Sequence, residues 1–538
     1  MRGSSLLLFL CWSIGCLSGS GVSDVRNSDP EWTEFVAELK ESLPQFFYPS
    51  TALTKPLLVG RLIAEWEPQK ALVISLPLKS VLQQPQEFSY YGSLISVGGK
   101  YLDIVVLHNA LEEKYVDLFL KRLREGGIPE SILSRVRFQK TASNNYWIRD
   151  CGPIFAHDQA GGLLLFDNIY RSLRPEIEAW MDAPKDIESA DLDQDLEGFE
   201  MFRISMRNEE VIPMYLGKHI RQRYQYKCDV VRPPLHLQGG DFIADRNGLV
   251  MISEDTLTEN GGSLQSLKSV FETYYGAKEL HVLNALPGIN PKHLDMHVKL
   301  VGDDTILLAD PIETFGPTTA FYKRLAGEVA GVIEANETYI RRHLPHLKIL
   351  KVPLLPVVEE DVEFVKARLS AQIFAEVCSE IGISYLRYYR LSKNDPHKGV
   401  VRKKVREHLD KRFGRSMDLS GDDDLDAACQ LYFEDDLSTL IDTSSDTKTV
   451  YRSYLNSLQI VNESGKKAFI IPSYAPRASE TKEAIEAVER RVESIYKQAV
   501  PDAGIHWINA DVMTNKLGAI HCTTLTLPAI QGYEDSGS

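Results

Sequence analysis

From about residue 60 onward, short apolar runs alternate with longer amphipathic stretches. The runs ALVISLP at 71, YLDIVVLHN at 101, GLLLFDNIY at 162, GLVMIS at 248, HVKLVGDDTILLAD at 297 and KAFIIPSY at 467 have the length and composition of strands. Between them, LEEKYVDLFLKRLREGG at 111 and SLQSLKSVFETYYGA at 263 repeat apolar residues at helical spacing. Strands and helices taking turns along a chain predict an α/β architecture.

Three regions depart from this rhythm. Residues 1–20 place Arg2 ahead of the apolar run Leu6 to Leu17 and then small residues, the form of a secretory signal peptide. The expected location is therefore secreted, periplasmic or cell-surface, with a lipoprotein anchor at Cys16, after Gly15, as the lesser alternative. Residues 21–59 hold an N-terminal helical segment, opened by Asp29 at a cap and Pro30 at the first helical position. Residues 315–450, with ETYIRRHL, VEEDVEFVKARLSAQIFAEVCSEI and KGVVRKKVREHLDKRFGR, read as a mostly helical insertion. It would divide one domain into parts at 60–314 and 451–538. The acidic run at Asp422, Asp423, Asp424 and Asp426 lacks the spacing and distal glutamate of a calcium loop.

Composition narrows the function classes. The 538 residues are 43% hydrophobic with a net charge of -15, which disfavours a nucleic-acid partner and favours encounter with cations. No stretch approaches the ~20 apolar residues of a transmembrane helix. Loss of the leader would leave Cys151, Cys228, Cys378, Cys429 and Cys522, an odd set with no C-x-x-C pair, so structural zinc is not expected. Asn336 and Asn462 open glycosylation sequons.

Polar residues embedded in the apolar runs carry the candidate chemistry. In KHLDMH, strand periodicity would put His293, Asp295 and His297 on one face, a pattern shared by catalytic groups, metal ligands and ordinary polar strand faces. In NNYWIRDCGP, Asp150 beside Arg149 is either an ion pair or an anionic site, and Trp147 with Tyr146 could wall a pocket for a planar cation. Cys522 in LGAIHCTT is either a small buried apolar residue or a nucleophile. An extended segment would turn His521 away from Cys522, so His521 is not expected to be its partner.

Together these blocks resemble the guanidine-modifying superfamily of agmatine deiminases, especially the bacterial type of peptidylarginine deiminase. The resemblance begins at AEWEPQKALVISLP and continues through NNYWIRDCGPIFA, LQGGDFIAD, KHLDMHVKLVGDDTILLA, YLNSLQIVN and LGAIHCTT, in the family's order. It implies a pentein-like fold, a five-bladed pseudo-symmetric α/β propeller of ββαβ units with the site at its centre. It further implies Asp150 and Asp295 as guanidinium-binding carboxylates, His293 as general acid and base, Cys522 as nucleophile and Asn456 as an active-site amide. Trp147, Arg174 and Asp241 fall at substrate-binding positions. Three departures stand out: Asp241 replaces the usual asparagine, Ser172 replaces one of two arginines that bind a C-terminal carboxylate, and NKLGAIHC is less glycine-rich than in agmatine deiminases.

The expected reaction is hydrolysis of a guanidino group, on peptidylarginine or agmatine, to a ureido group and ammonia through a covalent cysteine intermediate. No cofactor is required. The expected partner is a small cationic guanidino compound or an arginine-containing peptide. The alternatives are an amidinotransferase of the same superfamily, a metallohydrolase using His293, Asp295 and His297, and a non-catalytic guanidino-binding protein.

Overall fold

A computed structural model describes residues 59–141, 145–170, 212–233, 235–287, 293–312, 320–355, 451–477 and 480–530, with isolated positions between 396 and 407. The described strands form five sheets. Each is built on one unit: a strand, an antiparallel neighbour, a helical crossover, and a third strand parallel to the second. In chain order the first unit is Ile154–Asp158, Leu163–Phe166, helix Ile212–His219 and Cys228–Val231, with Val59–Leu62 added beside its leading strand. Phe242–Ala244, Leu249–Ser253 and Glu279–Leu283 form the second, around helices Glu254–Glu259 and Leu264–Val270. The third is Val298–Leu300, Thr305–Pro311, helix Ala320–His343 and Lys348–Leu355, and the fourth is Leu458–Val461, Lys467–Ser473, helix Lys482–Ala499 and Gly504–Asn509.

The fifth unit joins the two ends of the chain. Leu525–Pro528 pairs antiparallel with Gln69–Leu76, Leu525 opposite Val73 and Leu527 opposite Ala71, and Asp103–Asn109 follows across helix Pro85–Gly98. The result is the five-bladed α/β propeller that the resemblance implied. Strands such as Gln69–Leu76 are buried along nearly their whole length, because sheet neighbours and helices cover both faces. The closing strand lies hundreds of residues from its partner, so the ring forms only when both ends are present.

One helix shows how the blades position the centre. Thr481 caps helix Lys482–Ala499 by accepting from the Ala484 N–H, and the helix buries Ile485, Val492 and Tyr496 along one stripe. The Tyr496 ring meets Phe469 edge-on at 4.8 Å, and its hydroxyl donates to the Tyr454 carbonyl at 2.7 Å. Packing of the helix thereby fixes the turn that carries Asn456.

Several local expectations change. Helix Ala320–His343 and strand Lys348–Leu355 complete the third blade, so blade structure continues past the expected boundary at 314 and an insertion cannot begin before residue 356. The sequence could not separate that helix from its helical neighbours, because its crossover role depends on pairing of Thr305–Pro311 with a strand downstream. NNYWIRDCGP turns into the short helix Ile148–Cys151, and HLDMH turns at Leu294–Met296 before its strand starts at Val298. Both turns end in a leading strand, where the chain must reverse onto the centre. Asn336 is buried and bonded to Asn284, so its side chain is not presented as a free sequon, whereas Asn462 is half-buried and accepts three bonds within its own turn through Oδ1. Among the described residues no helix is long and apolar enough to cross a membrane. The leader, the N-terminal helix, Ser172, Arg174, the acidic run, Cys378 and Cys429 lie outside the described residues.

Candidate active site

Each blade's leading strand is preceded by a short turn, and the five turns meet. Ile148–Cys151 precedes Ile154, Gly239–Asp241 precedes Phe242, Leu294–Met296 precedes Val298, the turn at 454–457 precedes Leu458, and the turn at 519–524 precedes Leu525. Asp150 accepts from the Gly240 N–H at 3.2 Å, and its Oδ1 lies 3.4 Å from His293 Nδ1. The opposite edge of that ring, Nε2, bonds to Gln238 at 2.8 Å. Cys522 Sγ lies 3.1 Å from Asn456 Nδ2 and 3.5 Å from Asp295 Oδ2. All four candidate chemical groups are therefore gathered at one buried centre, together with Asn456.

Two glycines allow this approach. A Cβ on Gly240 would fall 2.5 Å from His293 Nδ1 and 2.9 Å from Asp150 Oδ1. One on Gly518 would fall 2.3 Å from the Trp147 ring and 3.0 Å from the Cys522 Cβ, so Trp147 packs directly on the turn that carries the thiol. Next to it, Leu517 holds φ at 76°, a left-handed conformation that costs a side-chain-bearing residue ~1–2 kcal/mol. Lys516 anchors the same segment on buried Glu87 at 3.1 Å.

The electrostatics of the two carboxylates differ. Burial pushes the Asp150 carboxyl above its ordinary range, and proximity to Asp295 adds to this against the pull of His293. Burial acts the same way on Asp295, but the bond and charge of His521, aided by His293 and Arg149, hold its carboxyl below the ordinary range. The same carboxylates act on the imidazole: burial favours neutral His293, yet Asp150, Asp295 and Asp241 outweigh it and raise its affinity for a proton. Burial, then Asp295 and Asp150, push the Cys522 thiol well above its ordinary value, so without a cation the sulfur is protonated.

Three sequence expectations are corrected by this geometry. His297 does not share a face with His293 and Asp295: its ring is fully buried beside the Asn284 carbonyl and Asn336, and burial lowers its pKa to about 4. The ligand triad of a metallohydrolase is thus not assembled, and no group of three candidate ligands occurs among the described residues. The segment that would be extended at His521 is instead a turn at 519–524, which places the ring 2.7 Å from both Asp295 and Glu65. Asp241 does not present its carboxylate to a substrate, because it accepts from Ser253, Thr256 and the Leu294 N–H. It clamps the turn before Asp295. Arg174 lies outside the described residues. Glu65, Gln238 and His521 were missed as parts of the centre, although each stands inside a block that the resemblance rests on.

Asp241 gives a test by titration. Burial raises its pKa to about 6, against ~3.9 for an unperturbed carboxyl, so its ionised form is disfavoured in the folded chain. Its contribution to stability is full below the ordinary carboxyl value and is lost as pH rises through about 6. Asp241→Asn, which carries no charge to bury, is expected to gain on the order of 2–3 kcal/mol relative to the parent between pH 4 and pH 8. Thermal melts across that range test it; parallel pH slopes for the two proteins would remove the buried charge from the account.

Comparisons with known proteins agree with this architecture. The model of the Porphyromonas-type peptidyl-arginine deiminase family matches residues 61–528. Among solved structures, a candidate arginine deiminase from Porphyromonas gingivalis superposes with a TM-score of 0.52 at 14% identity, covering 88% of this chain and 99% of that one. A candidate peptidyl-arginine deiminase superposes with a TM-score of 0.51 at 13% identity, covering 87% and 98%. No curated protein matches the sequence. At these identities the structural likeness establishes the shared fold.

Proposed function

The chain belongs to the Porphyromonas-type peptidyl-arginine deiminase family of hydrolases acting on guanidino C–N bonds, and from that premise we propose that it converts peptidyl-arginine to the ureido product outside the cytosol. The observation that carries this reading is the convergence of Cys522, Asp295, Asp150 and His293 on one buried centre. Export rests on the apolar run Leu6 to Leu17 behind Arg2.

Each group has a chemical task in this scheme. Asp150 and Asp295 accept N–H bonds from the planar guanidinium and fix its carbon in front of Cys522. Asp295 Oδ1 makes no hydrogen bond within the described residues and is available as such an acceptor. Arrival of the cation offsets the carboxylate field that keeps the thiol protonated, so the Cys522 proton is lost to water as substrate binds. The thiolate adds to the carbon and the tetrahedral adduct forms. His293, protonated under the influence of the carboxylates, gives its proton to the departing amine, and ammonia leaves. Neutral His293 then takes a proton from the attacking water. Collapse of the second adduct breaks the C–S bond, the adduct's hydroxyl proton returns to the departing Cys522 sulfur, and the ureido product is released. Asn456 donates toward Cys522 Sγ and steadies the thiolate.

Purified protein is to be incubated with peptides bearing internal and C-terminal arginine, with agmatine and with free arginine, and ammonia and ureido product measured. Peptide turnover is expected, with inhibition by a thiol alkylator and indifference to a chelator. Turnover of agmatine alone would replace the substrate, amidino transfer to added amines would make the enzyme a transferase, and binding without ammonia release would make it a binding protein.

A further inference from the structure

Next to Asp295 stands a partly buried chain of charged and polar groups that the deiminase scheme does not use. His521 Nδ1 lies 2.7 Å from Asp295 Oδ2, and His521 Nε2 lies 2.7 Å from Glu65 Oε1. Glu65 is held in turn by Arg149 Nη1 at 2.8 Å and Lys299 Nζ at 3.1 Å. The His521 backbone N–H donates to Asn456 Oδ1 at 3.1 Å, which fixes the turn that carries the ring. Each ring nitrogen thus faces a carboxylate oxygen, an arrangement that takes an N–H donor on both nitrogens to fill completely.

From this geometry we infer that His521 and Glu65 are positioning residues, holding Asp295 ionised and aimed at the guanidinium while Asp150 shares the same pocket. The need arises from repulsion. Two buried carboxylates a short distance apart tend to retain one proton between them, and a half-neutralised pair grips a planar cation on one side only. Asp295 escapes because His521 bonds to its Oδ2 at 2.7 Å and holds its carboxyl below the ordinary range. With Oδ2 bonded to His521 and next to Cys522 Sγ, its Oδ1 is left without a partner among the described residues and is free to accept from a guanidinium. Glu65 holds the ring square to Asp295, and its own carboxyl is held well below the ordinary range, against the effect of burial, by His521 and then by Lys299 and Arg149. The groups bearing on Asp295 are thus His521, His293, Arg149, Asp150 and Cys522, and those bearing on Glu65 are His521, Lys299 and Arg149.

This inference rests on the deiminase reading above, and its test separates the two. Asparagine places its amide N–H near the position of imidazole Nδ1, and glutamine near that of Nε2. His521→Asn therefore retains a donor to Asp295, whereas His521→Gln retains one to Glu65 alone. His521→Gln is expected to lose about 10- to 100-fold in kcat/KM, the range seen when an outer hydrogen-bond partner of a catalytic group is removed. Its acid limb should rise by about one pH unit, because one unit of pKa is the ~1.4 kcal/mol that a lost charge-assisted bond represents. His521→Asn should lose less and shift less. A general structural role would damage both variants alike. Because His521 adjoins a cavity also lined by Glu65, Trp66 and Lys299, His521→Ala serves if glutamine prevents folding, and imidazole added in solution should restore its acid limb. Equal profiles for Asn and Gln, or no rescue of His521→Ala by imidazole, overturn the inference.

Labelling of Cys522 by chloroacetamidine, a cationic amidine that alkylates thiols, repeats the comparison without turnover. Its pH profile should shift in the same order across the variants. Parent protein that turns over no guanidino substrate defeats the deiminase reading, while the labelling profiles still decide whether His521 tunes Asp295.

Discussion

Cys522→Ser is expected to abolish release of ammonia and ureido product, with a loss of ~10⁴-fold or more, the scale of removing a covalent nucleophile that works as part of a unit. A serine oxygen fits where the sulfur sits, beside Asn456 and Asp295, so the variant should fold and still bind. It cannot react at the same rate. Its hydroxyl starts far less acidic than a thiol, and the two carboxylates that already oppose ionisation of Cys522 oppose the alkoxide as well. The checks are product formation over hours and calorimetric titration with an arginine peptide. Turnover within tenfold of the parent, with binding intact, would falsify the covalent route.

The same field makes the unliganded thiol a poor target for neutral reagents. Cys522 is raised well above its ordinary value, so the reactive thiolate is scarce at neutral pH and increases as pH rises. Under the proposed mechanism a cationic substrate offsets that field, so activation of the nucleophile would be coupled to the charge of the group it attacks.

How much of this was legible in the sequence depended on how local each signal was. The strands ALVISLP, YLDIVVLHN and KAFIIPSY announce themselves because their apolar runs are longer than any turn. The helix Ala320–His343 looked like part of an insertion because nothing within it reports that Lys348–Leu355 will pair with Thr305–Pro311. At the centre, residue types were readable and conformations were not. HLDMH satisfies an alternating strand pattern, but the N–H of Leu294 bonds to Asp241, and the resulting turn sends His297 toward Asn336. That bond joins residues 53 apart, beyond the reach of any periodicity. His521 was set aside on the assumption of an extended segment; the bonds from Thr523 N to Ala519 O and Thr524 N to His521 O show a turn, and the ring bonds to Asp295 and Glu65. Glu65 lay in the opening AEWEP block, where its neighbours Arg149, Lys299 and His521 are all distant in sequence.

Replacing either binding carboxylate by its amide is expected to change turnover and thiol reactivity in opposite directions. In Asp150→Asn or Asp295→Asn the guanidinium enters a buried site with one anionic partner missing, and breaking such a pair costs about 3–5 kcal/mol, or ~10²- to 4 × 10³-fold in kcat/KM. Each carboxylate also opposes ionisation of Cys522, so its removal lowers the thiol pKa and should speed labelling by neutral iodoacetamide at pH 7. The two variants should differ in one respect. Asp295→Asn strips His521 of an ionised acceptor at 2.7 Å and leaves that ring with only Glu65, whereas Asp150→Asn disturbs a weaker contact with His293 at 3.4 Å. Asp295→Asn should accordingly be the less stable protein in thermal melts. Slower turnover accompanied by slower iodoacetamide labelling would mean that the amides had collapsed the pocket, and neither carboxylate could then be credited with binding the cation.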